Sequence, residues 1–532
     1  MKEVFTPAER ATLAPYFSDL DGPVFALVNL PEVVKGALFA RYSRSPKSLR
    51  RLFLDEFAGE LARGGAGDAP GPPPARGVAR AEELYERVFV EYGDDSVAQL
   101  GGVHLACEGV SNIATKVLEW GRLMAYLEQS TRYVPYDDQP GGGYRYHVPA
   151  ELTGELRVRY VRTLDRAFDT YRTWLPRLRE HYARAFPKAA EESDGVYRAT
   201  IRAKALDTLR GLLPAATTSN VGIYATGQAY EQLLLRMRAH PLAEVRWYAD
   251  EMLRELRTVI PAFLRRVDVP ARGGAWSAHL AETRTATRAV AARLLAGAHP
   301  APRDEVTLTD FEPDGELKVV AAALYATSAL PDDQLLELVR RLSHEERCAV
   351  LAAYVGTRTN RRHKPGRAFE RTAYRFDILG DYGAFRDLQR HRLLTLEWQP
   401  LSPRHGYVTP AVVEEAGALT DWDRVLAESA ELHDGIMAAG LPEVAPYAVA
   451  MAYRVRFYMH MNAREAMHVI ELRTTPQGHA AYRRICQQMH RLIAEQAGHR
   501  AIAEAIRFAD YTEVALERLE AERAAERRRQ RR

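Results

Sequence analysis

Two halves of this 532-residue sequence resemble each other, and that repetition constrains the fold more than any other feature. Three pairs of segments are similar and keep their order along the chain. They are Val33–Ala40 with Val319–Ala326, Trp120–Arg122 with Arg390–Arg392, and the set Leu235, Arg236, Arg246 with the set Leu472, Arg473, Arg483. The offset falls from 286 to 270 between the first two pairs, which matches the length of a Gly- and Pro-rich segment at 62–77. Treating that segment as an insertion preserves the repeat, although helices rich in alanine, leucine and arginine can also align by chance.

Length and composition fit a globular protein with more than one core. A chain of 532 residues exceeds the ~100–200 residues of a typical domain, and 47% apolar with 27% charged residues is ordinary globular usage. Its longest apolar runs, such as Val449–Tyr453, are far shorter than the ~20 residues of a membrane span. The N-terminal segment lacks the apolar core of a secretory signal, and three sparse cysteines suit a reducing compartment. We therefore expect a cytoplasmic protein that does not enter a membrane.

The charge of the chain is nearly balanced, but its cations are unusual in kind. The formal net charge is +3, and only eight of the 73 basic residues are lysines. Arginine suits bidentate contacts to phosphate and carboxylate, although an arginine-rich chain is also what a GC-rich genome produces. The near balance excludes a bulk polyanion binder, so we do not expect nucleic acid as a partner, and we interpret the basic end of the chain as a solvated tail.

Helical spacing dominates the sequence. A stretch rich in proline and glycine and a charged C-terminal end divide it into four parts. Helices are predicted within 228–237, 319–326, 335–342 and 464–472, and strands at Tyr144–Val148 and Tyr374–Leu379. Proline and glycine cluster between Val269 and Asp304, at mid-chain. We therefore predict a first copy at 1–270, a linker at 271–304, a second copy at 305–512 and a charged basic tail at 513–532.

One short segment carries the clearest chemical pattern. In Glu128-Gln-Ser-Thr-Arg-Tyr133, a carboxylate, a hydroxyl and a guanidinium occupy alternate positions, and alternate side chains of an extended segment face one way. Such a set can hold a phosphate together with a polar ring, and a surface turn is the alternative. A basic run at 358–367 could close over phosphates or lie in solvent. Cys486 and His490 have a spacing that could serve a metal, but no second clustered pair accompanies them, so we expect no metal site.

The Glu128–Tyr133 segment resembles the latter part of the signature of flavin-dependent thymidylate synthases. That signature runs Arg-His-Arg, two residues, Ser, one residue, Asn or Ser, Glu, one residue, Ser, one residue, Arg-Tyr. Other segments resemble further parts of the family pattern, and together they cover roughly 30–265 and 311–510, once per half. These segments are Tyr92–Val97, Cys107–Ile113, Arg210–Pro214, Leu235–Arg246 and Asn462–Arg483. The chain therefore resembles two fused copies of the family's subunit.

Each copy departs from the family pattern in a complementary way. The first copy has Trp120 and Gly121 at the family's Arg-His positions, and three further family positions differ as well. Those three are Leu100, Ala125 and Leu127. The second copy keeps Arg390-His391-Arg392 but lacks the Glu-x-Ser-x-Arg-Tyr segment that should follow. The resemblance implies a nucleotide half-site in the first copy and a flavin half-site in the second.

The resemblance also implies a fold, a reaction and residue roles. The fold is α+β, with two fused similar domains that are each helix-rich around a small, mainly antiparallel sheet. The reaction is reductive methylation of dUMP to dTMP with methylenetetrahydrofolate and NADPH as co-substrates and FAD as cofactor, at a composite site between the copies. Substrate would contact Glu128, Ser130, Arg132, Arg210 and Arg246, of which Ser130, Arg210 and Arg246 are the catalytic candidates. The cofactor would contact Arg390, His391, Arg392, Asn462, Arg464 and His468.

Other functions remain open at this level. One is a catalytically inactive homologue that binds a nucleotide, and another is a flavin-dependent methyltransferase acting on a different uridine nucleotide. Family subunits form tetramers, so the resemblance implies a homodimer of this double-length chain.

Overall fold

The computed structural model describes residues 3–43, 45–59, 98–190 and 193–517, together with residues 519, 523 and 527. The insertion predicted at 62–77, the segment 92–97 and most of the tail at 513–532 lie outside the described residues. Backbone contacts divide the chain into two compact units. The first contains Met1–Glu108, Val117–Glu128 and Asn220–Ala298, and the second contains Gly109–Lys116, Gln129–Ser219 and His299–Arg532.

Helices outnumber strands throughout the described residues. The N-terminal half contains α1 (Pro7–Leu13), α2 (Glu32–Tyr42), α3 (Leu49–Glu56), β1 (Gly102–Ser111), α4 (Asn112–Leu118), β2 (Met124–Glu128), α5 (Gly154–Ala185), α6 (Asp194–Leu209), β3 (Thr218–Thr226), α7 (Gly227–Arg238), α8 (Ala243–Leu256) and α9 (Ala275–Leu294). The C-terminal half contains β4 (Val306–Phe311), α10 (Gly315–Tyr325), α11 (Asp332–Arg341), α12 (His344–Val355), β5 (Ala373–Asp381), α13 (Tyr382–Leu388), β6 (Thr395–Trp398), α14 (Ala411–Glu415), α15 (Leu419–Ala438), β7 (Arg454–Asn462), α16 (Ala463–Arg473), α17 (Ala480–Glu495) and α18 (Arg500–Ala505).

Two small sheets share one topology. The first has the strand order β1-β3-β2, and the second has the order β4-β5-β7-β6, in which β5, β7 and β6 repeat the first sheet. The register repeats too, because Ala125 lies opposite Tyr224 in one antiparallel pair and Thr395 lies opposite His460 in the other. Equivalent residues are therefore 270 positions apart in the edge strands β2 and β6 and 236 positions apart in the central strands β3 and β7. This confirms the predicted α+β fold with two similar, mainly antiparallel parts.

The central strand of the second sheet shows why these residues form a strand. Val455, Phe457, Met459 and Met461 alternate with polar residues along β7, and all four are buried. Alternate side chains of a strand face opposite sides of the sheet, so this spacing gives β7 one apolar face for the core.

Both central strands pass directly into a helix through the same kind of cap. Thr226 ends β3 and accepts a hydrogen bond from the backbone N–H of Ala229, while Asn462 ends β7 and accepts one from the N–H of Glu465. Short polar side chains at this position satisfy an N–H that the helix itself leaves without a partner. Asn462, predicted to contact the cofactor, therefore has a structural role at the start of α16.

Within the second unit, equivalent segments of the two copies pair with each other. Pro214 and Ala450 are equivalent at offset 236 and lie opposite one another in an antiparallel bridge. The backbone hydrogen bonds on either side are reciprocal, as expected at a local two-fold axis. They run from Ala215 N to Val449 O (2.8 Å), Met451 N to Leu213 O (2.9 Å), Ala216 N to Tyr447 O (3.1 Å) and Ala452 N to Gly211 O (3.0 Å). The repeat read from the sequence is thus expressed as pseudo-symmetry in this unit.

Most of the local predictions are confirmed, and one is wrong. The four predicted helices correspond to α7, α10, α11 and α16, and Tyr374–Leu379 lies in β5. Residues Tyr144–Val148 were expected to form a strand, but they form only the isolated bridge from Tyr146 to Thr217. Pro149 follows at once and has no N–H to extend the pairing. Inside the predicted linker 271–304, residues 275–294 form a 20-residue helix. Among the described residues, no helix combines the length and hydropathy needed to cross a bilayer.

A buried ion pair holds the basic segment 358–367 against α16. Arg358 Nη1 and Nη2 donate to the two carboxylate oxygens of Glu471 at 2.7 and 2.6 Å, and the two side chains are 1% and 2% exposed. Arg358, the first residue of this basic run, is therefore an internal group rather than a phosphate ligand. Its partner Glu471 lies on the helix that also carries Arg464, His468 and Arg473.

Glu471→Ala is expected to lower the free energy of unfolding by about 3–5 kcal/mol, because it leaves the Arg358 charge buried without its carboxylate. The matched control is Glu337→Ala, which removes a carboxylate paired with Arg340 at 2.6 Å on the surface and should cost less than ~1 kcal/mol. Urea unfolding of both variants measures the difference. Equal losses in the two variants would contradict a structural role for the buried pair.

Candidate functional site

Three arginines surround the carboxylate of Asp387 in the second unit. Arg390 Nη1 and Arg473 Nη1 lie 3.7 and 3.8 Å from Asp387 Oδ1, and Arg210 Nη1 lies 3.8 Å from Oδ2. Burial raises the pKa of Asp387, but the three guanidinium groups outweigh burial and hold that pKa well below its usual range. Three cations therefore share one anion, and a positive excess remains to attract a phosphate or another oxyanion. We call these four residues the Asp387 cluster.

The cluster is a composite of the two copies. Arg210 follows α6 in the first copy, whereas Asp387 and Arg390 come from the end of α13 in the second copy and Arg473 ends α16. The reciprocal pairing of residues 211–216 with 447–452 places Arg210 beside the second copy. Arg210 of the first copy and Arg390 of the second copy therefore lie beside the same carboxylate.

Arg132 lies at the edge of the cluster, where its guanidinium is already engaged. Its Nε and Nη2 donate to the carboxylate of Asp207 at 2.6 and 2.7 Å, and Nη1 donates to the Tyr482 hydroxyl at 3.3 Å. Burial raises the pKa of Asp207, and the charge and hydrogen bonds of Arg132 reverse that shift, so the net direction is downward. A phosphate that binds Arg132 must share this guanidinium with Asp207 or displace the carboxylate.

His391 lies behind the cluster as a neutral ring. Arg473 Nε donates to His391 Nε2 at 2.9 Å, so this nitrogen is the acceptor and the proton belongs on Nδ1, which faces Glu465 Oε1 at 3.6 Å. Burial lowers the pKa of His391 far below its usual value, and Arg473 and Lys364 lower it further. Burial likewise lowers the pKa of the neighbouring His468 to about 4. At neutral pH both rings are therefore uncharged and act through their shape and hydrogen bonds.

The other residues predicted to contact the cofactor lie on and around α16. Arg464 donates from Nε to the carbonyl oxygen of Pro365 at 3.0 Å, which ties the start of the helix to the basic segment. The Lys364 ammonium lies close enough to Glu465 and Arg464 to interact with both, and burial lowers its pKa. Arg390 and Arg392 are exposed. This arrangement gives a cationic, partly open surface beside the neutral His391 and His468 rings.

The remaining residues predicted to contact substrate have local roles. Ser130 Oγ accepts a hydrogen bond from the N–H of Arg132 at 3.2 Å and so shapes the turn after β2. Glu128 is buried at the end of β2, opposite Val221. Arg246 is exposed and donates to the carbonyl oxygens of His240 and Pro241 at 2.8 and 2.6 Å. Glu128 and Arg246 belong to the first unit, whereas Ser130, Arg132 and Arg210 belong to the second.

His391, Glu465 and His468 could in principle ligate a metal, because one ligand atom from each lies within 4.8 Å of the others. Their surroundings oppose a cation. Arg473 donates to His391 Nε2, and the charges of Lys364 and Arg392 reach Glu465. The surrounding cations therefore disfavour a metal ion at this group.

The equivalent positions in the other copy have lost the same chemistry. At offset 270, Asp387, Arg390 and His391 correspond to Val117, Trp120 and Gly121, and the Arg236 guanidinium lies over the Trp120 ring at 5.5 Å. Arg132 and Arg210 correspond to Ser402 and Pro446 at offsets of 270 and 236. Within the part of the chain that the structure describes, three of the four cluster residues thus have a different residue type at the equivalent position, and Arg473 has the arginine Arg236.

Comparison with known proteins identifies the family. A family model described as thymidylate synthase complementing protein matches residues 54–262 and 307–498, once in each half. This chain belongs to that family. The two matched segments also confirm the resemblance to flavin-dependent thymidylate synthases and the tandem duplication.

Relatives of two kinds resemble the chain. A UPF0159 protein from Chlamydia pneumoniae is 38% identical over 525 residues, 98% of each chain. Another UPF0159 protein, from Thermoplasma acidophilum, is 31% identical over 525 residues and covers 92% of this chain and 97% of its own length. A flavin-dependent thymidylate synthase from Mycobacterium bovis is 28% identical over 219 residues, 41% of this chain and 79% of that protein. The two UPF0159 proteins thus match the chain over nearly its whole length, whereas the thymidylate synthase matches 41% of it.

Three residues of the site are not among those predicted from the sequence. They are Asp387, Arg473 and Asp207. Asp387 lies one helical turn before Arg390, so an (i, i+3) acid–base pair was the available signal. Arg473 was visible as part of the repeated Leu-Arg pair. The sequence gives no indication that Asp207 pairs with Arg132, because the two residues are 75 positions apart.

Asp387→Asn is expected to lower the free energy of unfolding at pH 7 by about 1–3 kcal/mol, because three guanidinium groups lose their shared anion. The folded-state pKa of this carboxyl is lowered, so its contribution is present above the unfolded pKa of ~3.9 and is lost as pH falls through the folded pKa. The difference in free energy of unfolding between wild type and variant should therefore stay nearly constant from pH 7 to about pH 5 and narrow as the pH falls below about 4, measured by urea unfolding at each pH. Asp377→Asn, which alters a partly exposed pair with Arg456, is the control. A gap that is the same at every pH would contradict this account.

Proposed function

We propose that the chain is a flavin-dependent thymidylate synthase with one composite site, which converts dUMP to dTMP with methylenetetrahydrofolate and NADPH. The observation that carries this proposal is the Asp387 cluster, where Arg210 of the first copy meets Arg390 and Arg473 of the second. Under this proposal the copies correspond to residues 1–270 and 305–512, joined by 271–304 and followed by the tail 513–532.

Arg210 and Arg473 of the cluster would bind the anionic parts of dUMP. A guanidinium group presents several N–H donors in one plane and pairs well with phosphate or carbonyl oxygens. Arg210 supports this role most directly, since its Nη2 is buried and makes no hydrogen bond to any described residue. Arg132 and Ser130, which belong to the same unit, complete the proposed substrate set.

FAD fits the donor set on the second-copy side of the site. The exposed guanidinium groups of Arg390 and Arg392 and the Lys364 ammonium suit a diphosphate, and the neutral rings of His391 and His468 suit a flat heterocycle. Asn462 and Arg464 would act mainly by holding the start of α16 and the basic segment in place. NADPH would serve as the reductant of the bound flavin.

The chain's own residues would act by positioning and by electrostatic stabilisation. FAD, when bound, supplies the hydride that completes the methyl group. Making C5 nucleophilic places negative charge on the uracil oxygens before C5 attacks the one-carbon unit, and a fixed guanidinium such as Arg210 would stabilise that charge without reorganising. Loss of one such donor typically costs ~2.7–4 kcal/mol in the transition state. Asp387 would keep Arg210, Arg390 and Arg473 from repelling one another before substrate binds.

One observation favours a second candidate, a nucleotide-binding homologue without turnover. The Asp207 carboxylate occupies two donors of Arg132, so a phosphate meets a competitor at this side chain. In either case we propose a homodimer in the cytoplasm, by analogy with the family's assembly.

An absorbance spectrum of the purified chain, recorded before and after addition of FAD, tests the proposal. We expect bound flavin that is bleached by NADPH and recovers when dUMP and methylenetetrahydrofolate are added. Recovery with UMP but not dUMP would move the assignment to another uridine nucleotide. Bound nucleotide without flavin would favour the inactive homologue and contradict the enzyme.

Equivalent arginines of the two copies give a matched pair of variants. Arg392→Ala is expected to weaken FAD binding about tenfold or more, because it removes one charged donor beside the proposed phosphate surface. Arg122→Ala changes the equivalent residue of the first copy and should leave the dissociation constant unchanged. Titration of each variant with FAD, followed by flavin fluorescence, measures both values. Equal effects of the two substitutions would contradict the division into half-sites.

A further inference from the structure

The outer face of the first half of α5 forms a shallow groove, and its described walls all come from this one helix. The inner face of the same turns is buried through Tyr160, Leu164 and Phe168. In the groove, Val158 is 65% exposed and Val161 is partly exposed. Single exposed valines are ordinary on a protein surface, so the charges around them decide what the groove can bind.

Four charged side chains in this groove make no ion pair with any described residue. Arg157 and Arg162 lie toward the start of α5, and Asp165 and Asp169 lie further along the helix. Each aspartate accepts a hydrogen bond from one tyrosine hydroxyl, at 2.8 and 2.5 Å, which leaves further carboxylate lone pairs available. The groove therefore has a cationic end and an anionic end.

Other arginines of α5 are paired within the chain. Arg159 lies 3.9 Å from Glu431 and Arg166 lies 3.2 Å from Glu428, and both carboxylates belong to α15. No described segment provides the same for the four groove charges. Those charges are therefore available to another molecule.

The order of the charges makes the groove complementary to itself. When two identical helices cross antiparallel, a residue before the crossing point lies opposite a residue the same distance after it. For a crossing at position 163, Arg157 lies six positions before and Asp169 six positions after, while Arg162 lies one before and Asp165 two after. Each arginine would thus face an aspartate of the other helix, and a two-fold axis forms each pair twice.

A third pair of exposed residues fits the same crossing point. Glu155 lies eight positions before it and Arg172 nine positions after it. The stretch from 155 to 172 is about 26 Å of helix at ~1.5 Å per residue. Contact over that length needs a small crossing angle, as in the packing class near ~20°.

We propose that this face of α5 binds α5 of a second copy of the chain, antiparallel about a two-fold axis. Val158 and Val161 would pack near the axis, with the charge pairs around them. This inference goes beyond the proposed activity and rests on the proposed homodimer. One helix face is smaller than the ~800 Å² per partner of a standard interface, so the dimer would be of micromolar affinity and weakened by salt.

Sedimentation velocity of the full-length chain tests this surface. The sample contains no flavin and no nucleotide, so the outcome is independent of whether the chain turns over dUMP. We expect a dissociation constant of about 1–100 µM, and about tenfold or more weaker association of Val158→Asp and of Arg157→Asp, since both change exposed side chains of the groove. Glu180→Arg is the matched control, because this exposed acid lies on α5 but 17 positions after the crossing point.

A charge exchange separates pairing across the axis from damage to the helix. Asp169→Arg alone should also weaken the dimer, whereas Arg157→Asp combined with Asp169→Arg should restore the dissociation constant to within about threefold of wild type, because every pair re-forms with reversed sign. A wild-type chain that stays monomeric at about 100 µM would overturn the proposal and leave the groove to a different protein. A dimer that Val158→Asp and Arg157→Asp do not weaken would also overturn it, and would place the homodimer contact elsewhere.

Discussion

The reciprocal backbone hydrogen bonds between residues 211–216 and 447–452 are the contact on which the candidate site depends. They join equivalent segments of the two copies inside one compact unit, with Pro214 opposite Ala450 at the local two-fold axis. Arg210 immediately precedes one of these segments. Its guanidinium therefore reaches Asp387 of the other copy, so the Asp387 cluster contains residues of both copies within a single chain.

A two-fold axis relates each group of residues to an equivalent group, but only one of the two groups has the charged residues of the Asp387 cluster among the described residues. Asp387, Arg390 and His391 surround that site, whereas the equivalent residues are Val117, Trp120 and Gly121. A fused duplication removes the need for identical copies, because each copy can supply only the half that its neighbour lacks. The proposed division of one site between two unlike copies would account for the complementary losses in the sequence, and the family match to each half shows the duplication.

The spacing of apolar residues predicts much of the fold, whereas it predicts only part of the candidate site. Apolar spacing was sufficient for the helices near 228–237 and 464–472 and for the strand near 374–379, because burial of one face decides both structures. The same reasoning failed at Tyr144–Val148, where Pro149 limits pairing to one bridge. The site depends on contacts distant in sequence, such as Arg132 with Asp207 and Arg210 with Asp387, and local spacing carries no information about them. The offset between the two repeated halves is the feature of the sequence that relates distant residues to each other.

A double-mutant cycle between the copies tests the central claim most directly. Arg210→Gln and Arg473→Gln change one arginine in each copy, and the dissociation constant of dUMP is measured for wild type, both single variants and the double variant. A composite site predicts a coupling energy of about 1 kcal/mol or more between them, because both arginines contact one ligand and one carboxylate. Strictly additive effects on dUMP binding would contradict a site shared by the two copies.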